Sequence, residues 1–162
     1  MTHVHHRLAT GLLLAATLLA TGLAQAANDP LSVVRAYMAA WNAHNANLAA
    51  SYLDYEVTYY DASVGTPQQG VVVARDNVIK AFINAFPDCQ WTMDGKPLVD
   101  RDGVAFQWTF TGTNTGAFAD GTKATGKPLV LHGLTLIRVK QGKIVYQGDY
   151  YDALGFNKQL GL

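Results

Sequence analysis

Residues 126–162, GKPLVLHGLTLIRVKQGKIVYQGDYYDALGFNKQLGL, decide the fold. Two runs rich in Val, Ile, Leu, Thr and Tyr flank a turn at Gln141-Gly142, and such residues suit a pleated, half-buried surface. The stretch reads as a long β-hairpin followed by a short docking tail. It also holds most of the side chains able to do chemistry: His132, Asp149, Tyr150, Tyr151 and Asp152. The rest of the chain reads as the remainder of a cup whose wall is this hairpin.

The length of the turn decides which side chains meet. A two-residue turn sets Lys140 against Lys143 and His132 against Tyr151, with Asp149 one diagonal step from His132. A three-residue turn sets Val139 against Lys143 and His132 against Tyr150, and moves Asp149 to the other face, opposite Gly133. Strand faces alternate with period two, so one residue decides whether His132 and Asp149 share a pocket. Two-residue hairpin turns need positive φ at both central residues, which Asn-Gly meets more easily than Gln-Gly. The three-residue turn Lys140-Gln141-Gly142 is therefore the expectation, and it separates His132 from Asp149 unless a bulge intervenes.

Upstream, the first twenty-six residues form a separate unit. His3, His5, His6 and Arg7 make a polar, weakly basic start, Leu8 to Leu23 is apolar and small, and Ala24-Gln25-Ala26 matches an A-x-A processing site. This is the pattern of a bacterial secretory signal peptide over residues 1–26, cleaved after Ala26, with the folded domain over 27–162. An uncleaved membrane anchor is the alternative, because the apolar run approaches spanning length. Export implies a periplasmic or secreted protein with no stable membrane anchor after processing.

Cleavage removes Arg7 and no acidic residue, leaving eleven Lys and Arg against twelve Asp and Glu. With no basic run, nucleic acid has no electrostatic footprint on this chain. Cys89 is the single cysteine, so it has no internal disulfide partner, and no His or acidic pattern beside it marks a nucleophile. The processed chain keeps only His44 and His132, without H-x-H, HExxH or CxxC spacing, so no metal is expected. No cofactor motif is present either.

The chain then runs in order from helices to strands. Asn28 or Asp29 caps a helix with Pro30 at its first position, and Val34, Tyr37, Met38 and Trp41 form its apolar stripe. Asn47 caps a shorter helix. EVTYYD is a strand ending at Asp61. A third helix begins near Ala74 or Arg75 and ends at Phe86, before Pro87. Its stripe is Val78, Ile79, Phe82, Ile83 and Phe86. Strands follow over 89–100 and 102–113, and in the latter Val104, Phe106, Trp108 and Phe110 alternate with smaller or polar residues. The order gives an α+β class: a curved, mostly antiparallel sheet wrapped around N-terminal helices, enclosing a cone-shaped cavity.

Four segments carry a family resemblance: AWNAHN..L at 40–48, AFPD at 85–88, TGTNTGAFADGTKATGKPL at 111–129 and QGKIVYQGDYYDALGFNKQLG at 141–161. Together the chain resembles the SnoaL-like polyketide cyclases of the nuclear-transport-factor-2-like, or cystatin-like cone, superfamily. The resemblance implies cofactor-free acid/base catalysis inside the cone, with ring closure by intramolecular aldol condensation in the best-known members. It places the catalytic acidic residue at Asp149. The family's histidine aligns near Thr135 rather than at His132.

On this reading the chain is a cyclase, isomerase or lyase acting on an enolisable hydrophobic carbonyl compound. Asp149 is the base, with His132, Tyr60, Trp108 and Tyr151 as donors or pocket walls and Trp41 as a further cavity residue. Desolvation in a dry pocket would lift an aspartate toward neutrality and suit it to that task. Each residue has a plainer reading as well. Asp149 reads equally as a solvated strand-end carboxylate, and His132 as a hydrogen-bonded strand residue. Asp61 reads as a cone-mouth residue or a turn former, and Asp152 as a cap. The alternative function is a non-catalytic periplasmic binding protein for a small hydrophobic or aromatic ligand. Sheets of this superfamily often pair face to face, so the resemblance also implies a homodimer.

Overall fold

The computed structural model describes residues 29–162. The leader expected over residues 1–26 and its processing site lie outside the described residues. Helix α1, Pro30–Asn42, starts where Asp29 accepts a hydrogen bond from the Ser32 amide at 2.9 Å, with Pro30 in the first turn. Its buried stripe holds Val34, Tyr37, Met38 and Trp41. The chain then turns at His44, which has a positive φ of 53° and sets its Nε2 2.8 Å from the Cys89 carbonyl. Asn45, rather than Asn47, caps the short helix α2, Ala46–Ala50.

Strand β1, Leu53–Asp61, is followed by the two-residue strand β2, Gln68–Gln69. Helix α3 begins at Val71, earlier than its apolar stripe implies. It passes without a break from an α-turn, Val71–Ala74, through a π-helical turn, Arg75–Ile79, to a second α-segment, Lys80–Ala85. Four strands and a helix complete the chain: β3 Gln90–Val99, β4 Gly103–Thr113, β5 Pro128–Lys140, β6 Lys143–Tyr151 and α4 Ala153–Leu160. Asp152 caps α4 by accepting from the Gly155 amide at 2.8 Å.

The sheet order is β2-β1-β6-β5-β4-β3, and every pairing is antiparallel except β1 with β6. This is an α+β fold with an open, mostly antiparallel sheet. One face carries Val104, Phe106, Trp108 and Phe110 of β4, Leu131 and Ile137 of β5 and Tyr59 of β1, all buried with the stripes of α1 and α3 in one core. The other face of β5 is partly open: Val130, His132 and Leu134 are exposed.

The hairpin differs from the expectation in its turn. Gln141 and Gly142 both have positive φ, 52° and 74°, and Lys140 pairs with Lys143, so the turn has two residues. Gln141 adopts the left-handed conformation that asparagine takes more readily. The register then slips: Val139 pairs with Ile144, but Arg138 pairs with Tyr146. Val145 is the additional residue, a β-bulge on β6. Past the bulge Thr135 faces Asp149 and Gly133 faces Tyr151. A regular two-residue hairpin would have brought His132 and Asp149 to one face, and the bulge parts them.

Candidate active site

Asp149 and Asp61 are register partners across the one parallel pair of the sheet, and both point into the core. Asp149 is 6% exposed and Asp61 4%. Strand alternation puts Tyr59 and Asp61 of β1 on the same face as Gln147, Asp149 and Tyr151 of β6. Each strand supplies a phenol to the other strand's carboxylate. Tyr59 donates to Asp149 Oδ2 at 2.7 Å, and Tyr151 donates to Asp61 Oδ1 at 2.9 Å.

Asp149 accepts from two further side chains. Thr135 Oγ1 donates to Oδ1 at 2.5 Å, and Gln147 Nε2 lies 2.9 Å from Oδ2 and 3.2 Å from Oδ1. These donors favour the ionised form, but burial outweighs them. Desolvation first, and the charge of Asp61 second, push the Asp149 carboxyl up to about 7. Asp61 is also raised by burial, against the hydrogen bonds of Ser63 and Tyr151. Its Oδ1 collects the Ser63 amide and hydroxyl, the Val64 amide and the Tyr151 phenol. Among the described residues nothing donates to Oδ2, which leaves that oxygen available to a chamber occupant.

Both carboxylates line an inner chamber of about 30 Å³. Its walls are aromatic: Trp41, Trp91 and Trp108, with Phe82, Phe110 and Tyr151. Trp108 packs edge-on to Trp91 and to Tyr151, with ring centroids 6.4 and 5.7 Å apart. Its seat depends on Gly133, where a Cβ would collide with the indole ring. The Trp108 Nε1–H is buried and has no acceptor among the described residues, and the same holds for Trp41. Among the described residues no lysine, arginine or histidine lines this chamber. A site so built can exchange a proton near neutral pH and offer a neutral N–H donor to an oxygen. Among the described residues no group of three or more His, Cys, Asp or Glu could hold a metal ion.

Of the residues singled out from sequence, Asp149, Trp41, Trp108 and Tyr151 meet in the chamber. Two do not. His132 is on the outer face, exposed, with Nδ1 3.0 Å from Thr109 Oγ1, because the bulge sets it one face away from Asp149. Tyr60 also faces outward, its ring 5.5 Å from that of Tyr150, because its neighbours Tyr59 and Asp61 point inward. Tyr59, not Tyr60, reaches the carboxylate. Cys89 is buried, and burial pushes its thiol up to about 11. Sequence reading passed over Tyr59, Gln147, Thr135 as a donor, and Trp91. One signal was present: Tyr59-Tyr60-Asp61 and Asp149-Tyr150-Tyr151 are mirror images in the sequence.

A family model described as SnoaL-like polyketide cyclase matches residues 31–160. Solved structures share the fold at low identity. One is a protein from Xanthomonas campestris pv. campestris proposed to be a polyketide cyclase, 19% identical, with a TM-score of 0.70 over 85% of this chain and 98% of that one. AclR from Streptomyces galilaeus, proposed to be a hydroxylase, is 22% identical, with a TM-score of 0.68 over 82% and 95%. IdmH from Streptomyces antibioticus, proposed to be a polyketide cyclase, is 22% identical, with a TM-score of 0.63 over 82% and 99%. No functionally curated protein matches the chain.

Proposed function

This chain belongs to the SnoaL-like polyketide cyclase family, and on that premise we propose that it is a cofactor-independent enzyme of the cyclase or isomerase type. Its substrate is an enolisable, hydrophobic carbonyl compound, and Asp149 is the group that exchanges a proton with the carbon next to the carbonyl. The observation that carries this reading is a buried carboxylate pushed up to about 7 in an aromatic chamber. A base half-ionised at neutral pH can both take and return a proton. The unpartnered Trp108 N–H is the donor for the oxygen on which charge develops. Trp41 and Tyr151 are walls that exclude water.

The test is exchange of the α-hydrogens of aryl ketones with deuterated solvent, followed by NMR, which needs no knowledge of the final product. The wild-type chain is expected to catalyse exchange, and Asp149→Asn to lose roughly 100-fold or more, the usual worth of a positioned acid/base group. Equal exchange by the two proteins would refute the assignment. A second reading, a non-catalytic carrier for a small hydrophobic ligand, is favoured by the larger compartment of about 380 Å³ beside the chamber. The A-x-A leader supports export to the periplasm or beyond, and the exposed Val130, Leu134 and Tyr150 support pairing of two copies.

A further inference from the structure

The two buried carboxylates of the chamber are held in different ways. Each oxygen of Asp149 accepts from two side chains, Oδ1 from Thr135 and Gln147 and Oδ2 from Tyr59 and Gln147. Asp61 gathers its donors on one oxygen. The Ser63 amide and hydroxyl, the Val64 amide and the Tyr151 phenol all reach Oδ1, at 2.9, 2.7, 3.2 and 2.9 Å. An oxygen so occupied has no lone pair left for a proton of its own, so a neutral Asp61 carries its proton on Oδ2. Asp61 and Asp149 are register partners, and both line a chamber of about 30 Å³, on the scale of one water molecule. A carbonyl group that enters this space therefore meets both carboxylates.

Two like charges side by side in a buried space oppose each other's ionisation. Burial raises both carboxyls, and the charge of Asp61 raises Asp149 further, up to about 7. Below that value the pair keeps one proton, and at lower pH it keeps two. Such a pair titrates as a unit rather than as two separate residues. Among the described residues, the other titratable groups that face it are the phenols of Tyr37 on α1, Tyr59 on β1 and Tyr151 on β6. Burial raises all three, so they stay neutral while the carboxyls titrate. Helix α3 contributes Phe82, β4 contributes Trp108 and Phe110, and β5 contributes Leu131 and Thr135, none of which titrates.

We propose that Asp61 is a second catalytic residue, which passes a proton from Oδ2 to the substrate's carbonyl oxygen while Asp149 takes one from the neighbouring carbon. This role rests on the acid/base reading of the site. The C–H bond breaks and its proton goes to Asp149. The electron pair of that bond forms the C=C bond of an enol, and the π pair of the carbonyl moves onto oxygen, which binds the Asp61 proton. The step ends with a neutral enol, a protonated Asp149 and an ionised Asp61, so the pair holds one proton before and after. The Trp108 N–H steadies the same oxygen during the transfer. A pair with no proton has none to give to oxygen, and a pair with two has no base for carbon. The reaction therefore runs only while the two carboxylates hold one proton between them.

The test is the pH dependence of α-hydrogen exchange of acetophenone in deuterated solvent, with uncatalysed exchange subtracted and the fold checked by circular dichroism at each pH. A single base would give a rate that climbs through pH 7 and levels off. The pair is expected to give a bell, with the rate falling roughly tenfold or more between about pH 7 and pH 9. Asp61→Asn keeps an oxygen under the four donors and sets an NH₂ at the Oδ2 position, which can hydrogen-bond to a carbonyl but transfers no proton. This variant is expected to lose roughly tenfold or more at the wild-type optimum and to show no alkaline fall. Its acid limb should lie below that of wild type, because the charge of Asp61 no longer raises Asp149. The proposal is overturned if wild-type exchange levels off above pH 7, or if folded Asp61→Asn matches the wild-type rate and profile. A ¹³C NMR titration reads the pairing without turnover: an Asp149 midpoint unmoved by Asp61→Asn would also overturn it. Asp149→Asn keeps the two readings apart. Loss of exchange in that variant beside a wild-type rate that levels off overturns the Asp61 role alone, whereas undiminished exchange overturns the assignment of Asp149 as the base. Wild-type chain inert at every pH would overturn that assignment as well.

Discussion

Replacing Asp149 by asparagine should stabilise the protein above neutral pH, and the sign is a direct check on the site. The carboxyl has an ordinary value of 3.8 and is pushed up to about 7 in the folded chain. Between those values the native state binds a proton that the unfolded chain has released, so wild-type stability falls as pH rises from about 4 to 7. About three pH units at 1.36 kcal/mol each gives a loss of about 4 kcal/mol, fully present above pH 7. Asparagine removes the titration but turns an NH₂ toward Tyr59, Thr135 and Gln147, which all donate to Asp149. Losing one or two of those hydrogen bonds costs about 1–2 kcal/mol. The variant should therefore be less stable than wild type near pH 4 and more stable by about 2–3 kcal/mol at pH 8, with a crossing near pH 5. Urea denaturation at unit steps from pH 4 to 8 measures this. A variant less stable than wild type at every pH would show that Asp149 ionises normally, and the catalytic argument would fall with it. Stabilisation together with lost exchange is the expected signature of a site that holds a costly charge for function.

Three further substitutions probe the surroundings. Thr135→Val removes the donor at 2.5 Å from Oδ1, so the Asp149 carboxyl should titrate above its wild-type midpoint in a ¹³C NMR titration; a downward move would contradict the assigned hydrogen bond. His132→Ala, on the outer face, should leave stability within about 0.5 kcal/mol and any α-exchange within about twofold; a large loss of exchange would return His132 to the site. Gly133→Ala should displace Trp108, shift tryptophan emission and cost about 1–3 kcal/mol as an overpacked core does; an unchanged emission spectrum would deny that Gly133 seats the indole.

The elements were legible because each rests on a local signal. Pro30 after a capping aspartate starts α1, Pro87 stops α3, and alternation from Val104 to Phe110 fixes the buried face of β4. The candidate site was legible in part. Asp149 came from the resemblance, and Trp108 from strand alternation. The partners of Asp149 were not legible, because they depend on the register past a bulge. Val145 looks like any other strand valine, and nothing in its neighbours announces that it is left over. Tyr60 was preferred to Tyr59 for want of a register between β1 and β6, which lie far apart in sequence. Long-range pairing, not propensity, separates those two tyrosines.

The parallel pairing of β1 with β6 is what makes two buried carboxylates tolerable side by side. In a parallel pair, residues at successive inward positions climb together, so Tyr59 sits one step below the row of Asp61 and Asp149, and Tyr151 one step above it. Each phenol can then lean diagonally to the carboxylate of the other strand, as the bonds of 2.7 and 2.9 Å show. If β6 ran the other way, Tyr151 would lie below the row beside Tyr59, and Asp61 would lose the phenol above it. The bulge at Val145 then sets the phase of β6: were Val145 paired against Arg138 in a regular ladder, Gln147, Asp149 and Tyr151 would turn outward and Gly148 and Tyr150 would come in. Removing Val145 should therefore restore a regular ladder across the Gln141-Gly142 turn, with Val139 still against Ile144, Arg138 against Tyr146 and Thr135 against Asp149, and leave the Asp149-dependent α-exchange in place; loss of that exchange would refute this account of the register.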